Sequence, residues 1–211
     1  MPPHQHGASI IEPGTLTPFR AFIAVDLSPE IRTEIEALIA RLRRMPGQAG
    51  MRFVSASGIH LTLKFLGDIP VELGDRLHQA LERATAARSA FSVRVRGAGC
   101  FPDAGRPRVV WVGLEEPREE LSALQRAIEA ECVALGLPAE DRPFSPHLTL
   151  GRVRREAGAE AASFVRTMLE REQTVDLGEM TVESVHLFRS DLRPTGADYR
   201  RLHSAVLEAG R

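Results

Sequence analysis

Several residue types that define whole classes of protein are scarce in this chain. Only two cysteines occur, Cys100 and Cys132, and they have neither the spacing of a metal site nor the number that a disulfide scaffold needs. No apolar run approaches the length of a transmembrane helix, and no secretory signal is visible. These absences argue against a disulfide-rich secreted protein or a membrane protein, and we expect a cytoplasmic one.

Lysine is nearly absent as well. Lys64 is the only lysine among the 27 basic residues, so arginine carries almost all of the positive charge. Arginine suits bidentate contact with phosphate. The formal net charge of −1 excludes a chain that is basic throughout but is compatible with a local basic cleft. Hydrophobic residues (43%) and charged residues (26%) occur at the levels of an ordinary globular protein, and 211 residues suffice for a sizeable core.

The chain does contain one tetrapeptide twice. Residues 60–63 and 147–150 both read His-Leu-Thr-Leu. In a strand, alternate side chains share a face, so the leucines would anchor each strand to a core while histidine and threonine share the opposite face. Imidazole is the side chain best matched to proton transfer near neutral pH, and a hydroxyl can donate a hydrogen bond to an anionic oxygen. The repeat therefore predicts two equivalent proton-transfer groups, each with its own donor.

The surroundings of the two tetrapeptides repeat too. Each half reads strand, amphipathic helix, loop and His-containing strand, which we interpret as a duplication with halves around residues 19–100 and 108–190. We expect one bilobal unit over residues 18–211, after a disordered tail rich in proline, glycine and histidine at residues 1–17. The periodicity predicts strands over 19–27, 59–66, 91–95, 108–114 and 181–188, helices over 28–45, 71–88, 116–135 and 159–170, a connector over 97–107 and a turn over 191–196, and leaves 199–207 ambiguous between strand and helix.

With these motifs the chain resembles the two-histidine phosphoesterases, and among them the RNA 2′,3′-cyclic phosphodiesterases, also called 2′-5′ RNA ligases. The hallmark is a pair of His-x-Thr-x motifs in which x is apolar, and both are intact here. The likeness spans nearly everything after the tail, but it is weakest after Tyr199, where three polar residues replace the apolar strand expected there. The similar stretches are residues 20–25, 60–67, 101–102 with 108–111, 143–152, and 190–192 with Gly196 and Tyr199.

The resemblance implies an α+β fold of two pseudo-symmetric lobes, each an antiparallel-rich sheet backed by helices, with a central cleft between them. It also implies metal-independent hydrolysis of 2′,3′-cyclic phosphates, on RNA ends or cyclic nucleotides, to 2′-phosphomonoesters. No cofactor and no membrane is implied, and we expect a monomer. By the same resemblance His60 would be the proton donor and His147 the proton acceptor.

The chemistry of such a site accounts for the residue types. Opening a cyclic phosphodiester needs a base to take a proton from water and an acid to protonate the departing ribose oxygen. In-line geometry places these two groups on opposite sides of phosphorus. Thr62 and Thr149 would donate hydrogen bonds to the non-bridging oxygens, where negative charge accumulates.

Further site residues are predicted with alternatives. Lys64 has the parity of His60 and would either bind phosphate or lie on the solvated surface. Arg152 has the opposite parity to His147, but a bulge at Gly151 would re-aim it toward phosphate. For three aromatic residues, contact with a nucleobase in the cleft and packing in the core are both open: Phe53, Phe144 and Tyr199.

Three other interpretations are compatible with the sequence. Paired histidines often bind zinc, although neither strand carries a second His, Asp or Glu two residues after its histidine. A non-catalytic module that binds RNA ends would use the same cleft. The third is a 2′-5′ RNA ligase or 2′-5′ phosphodiesterase. No nucleotidyl-transfer lysine motif or phosphate loop supports ATP-dependent ligation, but reversal of a transesterification stays open.

Overall fold

The computed structural model describes residues 17–115, 118–193 and 196–210. The predicted tail over 1–17 therefore lies outside the described residues except for Thr17, as does the predicted start of the third helix at Glu116 and Pro117. The described helices and strands are β1 (Phe19–Val25), α1 (Pro29–Leu42), β2 (Met51–Phe53), β3 (Leu61–Ile69), α2 (Leu73–Thr85), β4 (Phe91–Phe101), β5 (Val109–Glu115), α3 (Arg118–Ala134), β6 (His147–Val153), α4 (Gly158–Glu172), β7 (Asp176–Val182), β8 (Ser184–Arg193) and β9 (Gly196–Val206).

The strands form two antiparallel sheets. The first sheet has the order β3-β1-β8-β9, and the second sheet has the order β2-β6-β5-β4-β7. Apart from β2, the two orders correspond strand by strand, because each His-containing strand pairs with the strand that opens its half of the sequence. The predicted α+β fold with two pseudo-symmetric lobes is therefore confirmed. Each sheet nevertheless combines strands from both halves of the sequence, since β8 and β9 join the first and β4 joins the second.

Helix α1 shows how local sequence signals place an element. The Ser28 hydroxyl accepts a hydrogen bond from the backbone N–H of Ile31 (3.3 Å), and Pro29 occupies the first turn, where its missing N–H is not needed. The buried stripe of α1, which includes Ile35 and Leu38, contacts β7 of the second sheet although the helix follows β1 of the first. Likewise α3 follows β5 but contacts β3. Side chains of both sheets consequently share one buried hydrophobic cluster.

Two predicted non-regular segments belong to strands. Strand β4 continues through the first part of the predicted connector to Phe101, with a register shift between Val95 and Ala98 and a positive φ of 74° at Gly97. This bulge breaks the sequence periodicity without ending the strand. Similarly, Asp191–Arg193, predicted as part of a turn, continue β8, and the ambiguous segment 199–207 lies largely in β9. Because β9 is an edge strand with many exposed positions, its polar sequence lacks the apolar alternation of a buried strand.

Candidate active site

The two His-Leu-Thr-Leu motifs lie where the two sheets adjoin, because β3 and β6 contact each other. Leu61, Leu63, Leu148 and Leu150 are buried in the core, as the alternation predicts. Thr62 lies opposite Ala24 on β1, and Thr149 lies opposite Trp111 on β5, so the two threonines hold equivalent positions in their sheets. His60 directly precedes β3 and His147 is the first residue of β6.

A register shift follows the threonine in both His-containing strands. Ala24 pairs with Thr62 while its neighbour Ile23 pairs with Lys64, so Leu63 has no partner on β1. Cross-strand partners share a face, and adjacent residues on β1 face opposite ways, so Thr62 and Lys64 lie on opposite faces of the sheet. A β-bulge at Leu63 thus reverses the parity on which the prediction for Lys64 depended.

The corresponding shift in β6 has the opposite consequence for Arg152. Trp111 pairs with Thr149 and Val110 with Gly151, so Leu150 has no partner on β5. Arg152 pairs with Val109, which shares a face of β5 with Trp111, so Arg152 lies on the same face as Thr149. The hypothesis that a bulge re-aims Arg152 therefore agrees with the register, although the unpaired residue is Leu150 and not Gly151.

Lys64 turns away from the site into the interior. Its side chain is 4% exposed, and Nζ donates to both carboxylate oxygens of Glu129 (2.8 Å each) and to the carbonyl oxygen of Pro138 (2.9 Å). An ammonium group has three donors, and all three are used. Lys64 is therefore buried and does not lie on the solvated surface, and its three donors are used within the protein. It links β3 to α3 and to the segment that follows that helix.

The Lys64→Met variant is expected to lose about 3 kcal/mol of unfolding free energy, because removing one partner of a buried ion pair leaves the Glu129 carboxylate uncompensated. In the Lys64→Met/Glu129→Gln double variant the loss should be smaller, since the orphaned charge is gone. Urea unfolding of the wild type, both single variants and the double variant measures the coupling. Equal stability of wild type and Lys64→Met would show that the pair is not a stabilising link.

An aromatic cradle surrounds His60. Its ring stacks on Phe22 (centroids 4.5 Å apart, interplanar angle 21°) and meets Tyr199 edge-on at 5.1 Å, and Phe188 lies parallel to it at 6.0 Å. Phe22 and Phe188 belong with Ala24 to a small buried cluster that is separate from the main core. The structure thus brings Tyr199 to His60, together with Phe22 and Phe188, two phenylalanines that sequence reasoning missed.

Burial lowers the pKa of His60 to about 4. The aromatic cradle disfavours the charged imidazolium, the nearby Arg32 guanidinium acts in the same direction, and the Asp26 carboxylate opposes them. His60 is therefore neutral near pH 7 in the free protein. To act as an acid it must gain a proton when substrate binds, and the negative charge of a bound phosphate favours that protonation.

This lowered pKa predicts acid sensitivity of the fold. The folded pKa of His60 lies below the unfolded value of about 6.5, so the unfolded chain binds more protons between these values. Stability is consequently complete above about pH 6.5 and falls as the pH drops toward 4. Urea midpoints at pH 7 and pH 5 should differ less for His60→Phe than for wild type, and an unchanged difference would contradict the assignment. Binding of inorganic phosphate should raise the pKa of His60 and so be accompanied by proton uptake, which calorimetry measures.

His147 is oriented by a backbone carbonyl. Its Nδ1 lies 2.7 Å from the carbonyl oxygen of Ser145, which only accepts, so Nδ1 carries the hydrogen and Nε2 is the nitrogen left for a substrate. Phe101 meets the ring edge-on at 5.0 Å and Trp111 lies at 6.2 Å. Gly99 makes room for this packing, since a Cβ there would lie 2.2 Å from the Trp111 ring.

The other two predicted aromatic residues, Phe53 and Phe144, have packing contacts of their own. Phe53 meets Phe164 of α4 edge-on at 6.5 Å and has the Arg43 guanidinium 5.7 Å from its ring. Phe144 packs partly buried against the main core. By contrast Phe65, three residues after Thr62 in β3, pairs with Phe22, shares its face and is 64% exposed. Its position in the bulged strand, equivalent to that of Arg152, was the signal that could have identified it.

The described residues contain no group of three or more histidine, cysteine, aspartate or glutamate side chains placed to hold a metal ion. None of the helices in the described ranges is both long and apolar enough to cross a membrane. In chemical terms the site offers two imidazoles in aromatic surroundings, two threonine hydroxyls and one exposed arginine. This set can transfer protons on both sides of an anionic group and donate hydrogen bonds to its oxygens.

Comparison with known proteins identifies relatives along most of the chain. The RNA 2′,3′-cyclic phosphodiesterase of Methanothermobacter thermautotrophicus is 36% identical over 180 residues, which cover 85% of this chain and 94% of that protein. The protein of the same name from Escherichia coli K12 is 36% identical over 140 residues, covering 66% of this chain and 75% of that protein.

Solved structures with the same architecture support this similarity. TT0787 of Thermus thermophilus superposes with a TM-score of 0.73 and 31% identity, over 91% of this chain and all (100%) of that one. The E. coli LigT complex with 3′-AMP gives a TM-score of 0.71 and 27% identity, over 90% of this chain and 98% of that one. The family model of the 2′-5′ RNA ligase superfamily matches residues 21–194, a range that includes both His-Leu-Thr-Leu strands. With the motifs, the paired sheets and these relatives in agreement, the chain belongs to the 2′-5′ RNA ligase superfamily.

Proposed function

We propose that this protein hydrolyses 2′,3′-cyclic phosphate ends of RNA to 2′-phosphomonoesters, using His60 and His147 as acid and base and no metal. The observation that carries the proposal is the equivalent placement of the two His-Leu-Thr-Leu motifs on adjoining strands of two matched sheets. The relatives named RNA 2′,3′-cyclic phosphodiesterase support the choice of substrate.

The proposed reaction is one in-line displacement at phosphorus. One neutral imidazole takes a proton from water, whose oxygen forms the new P–O bond. The bond from phosphorus to the ribose 3′-oxygen breaks, and the other, protonated imidazole gives its proton to that oxygen. The product keeps the phosphate on the 2′-oxygen, and the two histidines end with exchanged protonation states. No nucleophilic side chain, oxidant or cofactor is needed for this balance.

The polar groups around phosphorus have complementary roles. The Thr62 and Thr149 hydroxyls donate to the non-bridging oxygens from two sides, where charge accumulates as water attacks. Arg152 lies on the Thr149 face, and its side chain has no hydrogen bond or ion pair among the described residues, so it adds positive charge at the same side. Because Nδ1 of His147 is committed to the Ser145 carbonyl, Nε2 of His147 is the atom that would exchange a proton.

Following the family resemblance, His60 is proposed as the acid and His147 as the base. The low pKa of free His60 suits a base better, so the acid role depends on protonation when substrate binds. Phe65 of β3 and Tyr199 of β9, both exposed, are proposed to contact the nucleobase. The proposed partners are RNA ends or free cyclic nucleotides with a 2′,3′-cyclic phosphate, and the protein is proposed to act as a monomer in the cytoplasm.

The decisive experiment is incubation of the protein with an oligoribonucleotide that carries a 2′,3′-cyclic phosphate, in the presence of a chelator. Formation of a 2′-phosphomonoester, identified by ³¹P NMR, is the expected result. The His60→Ala/His147→Ala double variant, purified in parallel, controls for contaminating nucleases. Binding of the oligonucleotide without turnover would favour a non-catalytic RNA-end module. Activity that disappears with chelator would favour a metal-dependent hydrolase.

A further inference from the structure

The two matched lobes differ at the position beside each motif histidine. In the first sheet, the β1–β3 register ends one residue before Asp26 on β1 and one residue after His60 on the partner strand, so these two residues come next to each other at the end of the ladder. In the second sheet, Gly113 pairs with His147. Asp26 and Gly113 hold corresponding places, because each lies two residues after the partner of the motif threonine.

The glycine of the second lobe leaves no room for a matching carboxylate. A Cβ at Gly113 would lie 3.0 Å from the backbone oxygen of Arg96, which is tighter than ordinary van der Waals contact. His147 has instead a neutral partner, since its Nδ1 lies 2.7 Å from the Ser145 carbonyl oxygen. Of the two corresponding positions, only the one beside His60 therefore carries a negative charge.

Neighbouring strands hold the Asp26 carboxylate in place. It accepts a hydrogen bond from the Arg201 guanidinium of β9, and it lies 3.9 Å from Nε2 of His186 on β8. The His186 ring is buried between the Ser184 and Ser204 hydroxyls, at 3.1 and 2.9 Å. Burial and then the Arg201 charge lower the pKa of His186, so this ring is neutral near pH 7 and adds no positive charge beside Asp26.

Two opposite charges act on the His60 ring. Burial is the largest influence and lowers its pKa, the Asp26 carboxylate raises it, and the Arg32 guanidinium of α1 lowers it. Arg32 is fixed by donating from Nη1 to the Ala56 carbonyl oxygen at 2.7 Å. Tyr199 of β9 is the further titratable side chain whose ring meets His60. The negative charge of a bound phosphate would add to that of Asp26, and both favour the imidazolium.

We propose that Asp26 is the positioning residue that makes His60 the acid, because its carboxylate stabilises the imidazolium that protonates the departing ribose oxygen. The inference rests on the proposed function. His147, beside Gly113, remains the neutral imidazole that takes a proton from water. Asp26 contacts no reacting atom and keeps its charge throughout, so the proton balance of the proposed reaction is unchanged.

The test compares kcat/KM for two substrates. One is the oligoribonucleotide with a 2′,3′-cyclic phosphate, and the other is a phosphodiester whose nitrophenolate leaving group departs without a proton. Asp26→Asn, which removes the charge at nearly constant size, should lower kcat/KM for the cyclic phosphate about 10-fold, because a lower pKa reduces the protonated fraction of His60. It should leave the nitrophenyl ester unaffected, since that reaction depends on the base alone.

Two further variants provide the controls. Asp26→Glu restores the charge and should return the ratio of the two kcat/KM values toward that of the wild type. Asp176→Asn is the matched control, because Asp176 on the edge strand β7 of the second sheet is also bonded to an arginine, Arg94, at 2.6 Å. This variant should leave kcat/KM unchanged for both substrates.

The outcomes separate this inference from the proposed function. An equal drop for both substrates in Asp26→Asn, or the same change in Asp176→Asn, overturns the role of Asp26 but not the activity. If the wild type hydrolyses neither substrate, the proposed function fails, and NMR titration of the His60 ring in the free protein tests Asp26 instead. The pKa of His60 must then be lower in Asp26→Asn than in the wild type, and an unchanged value overturns the inference.

The same NMR titration keeps the inference testable if Asp26→Asn does not fold. Arg201→Gln removes the guanidinium that is bonded to Asp26 and so leaves the carboxylate charge less compensated. In this variant the pKa of His60 must be higher than in the wild type, because a stronger negative charge beside the ring favours the imidazolium. An unchanged or lower pKa of His60 in Arg201→Gln overturns the inference.

Discussion

His60→Ala and His147→Ala are each expected to lower the turnover of a 2′,3′-cyclic phosphate by about 10²–10⁴-fold, because each removes one of the two proton-transfer groups. The two losses should not add in the double variant, since the acid and the base act in a single displacement. Steady-state kinetics with the oligoribonucleotide end as substrate measures all three variants.

The control for these variants is a histidine outside the site. His78 on α2 stacks on His203, with ring centroids 4.5 Å apart, and has no ring contact with His60 or His147 among the described residues. His78→Ala should therefore keep wild-type turnover.

Thr62→Ala and Thr149→Ala should each lower turnover about 10–10³-fold, since each deletes one hydrogen bond to a phosphate oxygen. Losses as large for the threonines as for the histidines, with lowered urea midpoints, would indicate disruption of the strand. Wild-type turnover in either histidine variant would refute the paired mechanism.

The parts of the site that sequence predicts are those determined by residues close together in the chain. Alternation within the His-Leu-Thr-Leu repeat is enough to bury Leu61 and Leu148 and to separate them from the threonines. Helix α1 is predicted over 28–45 and observed at Pro29–Leu42, because the Ser28 cap and the stop at Pro46-Gly47 are both recognisable in the sequence. Repetition of the whole pattern correctly predicts two matched lobes.

The parts that sequence does not predict depend on pairing between distant strands. The parity of Lys64 is correct only for a regular strand, and the register shift against β1 that reverses it leaves no local trace in the sequence. Its true partner, Glu129, lies 65 positions away on α3. The corresponding bulge in β6 has the opposite effect, because it places Arg152 on the same face as Thr149. Bulges of this kind re-aim side chains near active sites in many sheets.

The aromatic cradles have the same long-range origin. Phe188 reaches His60 only because β8 pairs with the far side of β1, and Phe101 reaches His147 only because β4 continues past Gly97 beside β5. In the matched strand orders these two phenylalanines occupy corresponding strands. Each histidine thus has a phenylalanine from the strand next to its own neighbour, a symmetry that becomes visible only once the sheets are known.

The pH dependence of the rate does not distinguish which of the two histidines is the acid. Activity requires one protonated and one neutral imidazole, so the rate should be bell-shaped in pH. The low pKa of free His60, about 4, should appear as the acidic limb of kcat/KM. The same limb is expected whether His60 or His147 is the acid, because the total population of the singly protonated pair does not depend on which histidine holds the proton. A substrate that needs only one of the two groups is required to tell them apart.

A phosphodiester with a nitrophenolate leaving group provides that distinction. Nitrophenolate departs without a proton, so a variant that lacks only the acid should recover most of its deficit of about 10²–10⁴-fold, while a variant that lacks the base should recover none. With His60 as the acid, His60→Ala is the variant expected to be rescued and His147→Ala the one that stays inactive. The readout is the ratio of kcat for the nitrophenyl ester to kcat for the cyclic phosphate, measured for wild type and both variants. Rescue of His147→Ala alone would exchange the two roles, in agreement with the neutral state of His60 in the free protein. Rescue of neither would show that protonation of the leaving oxygen is not what either histidine contributes.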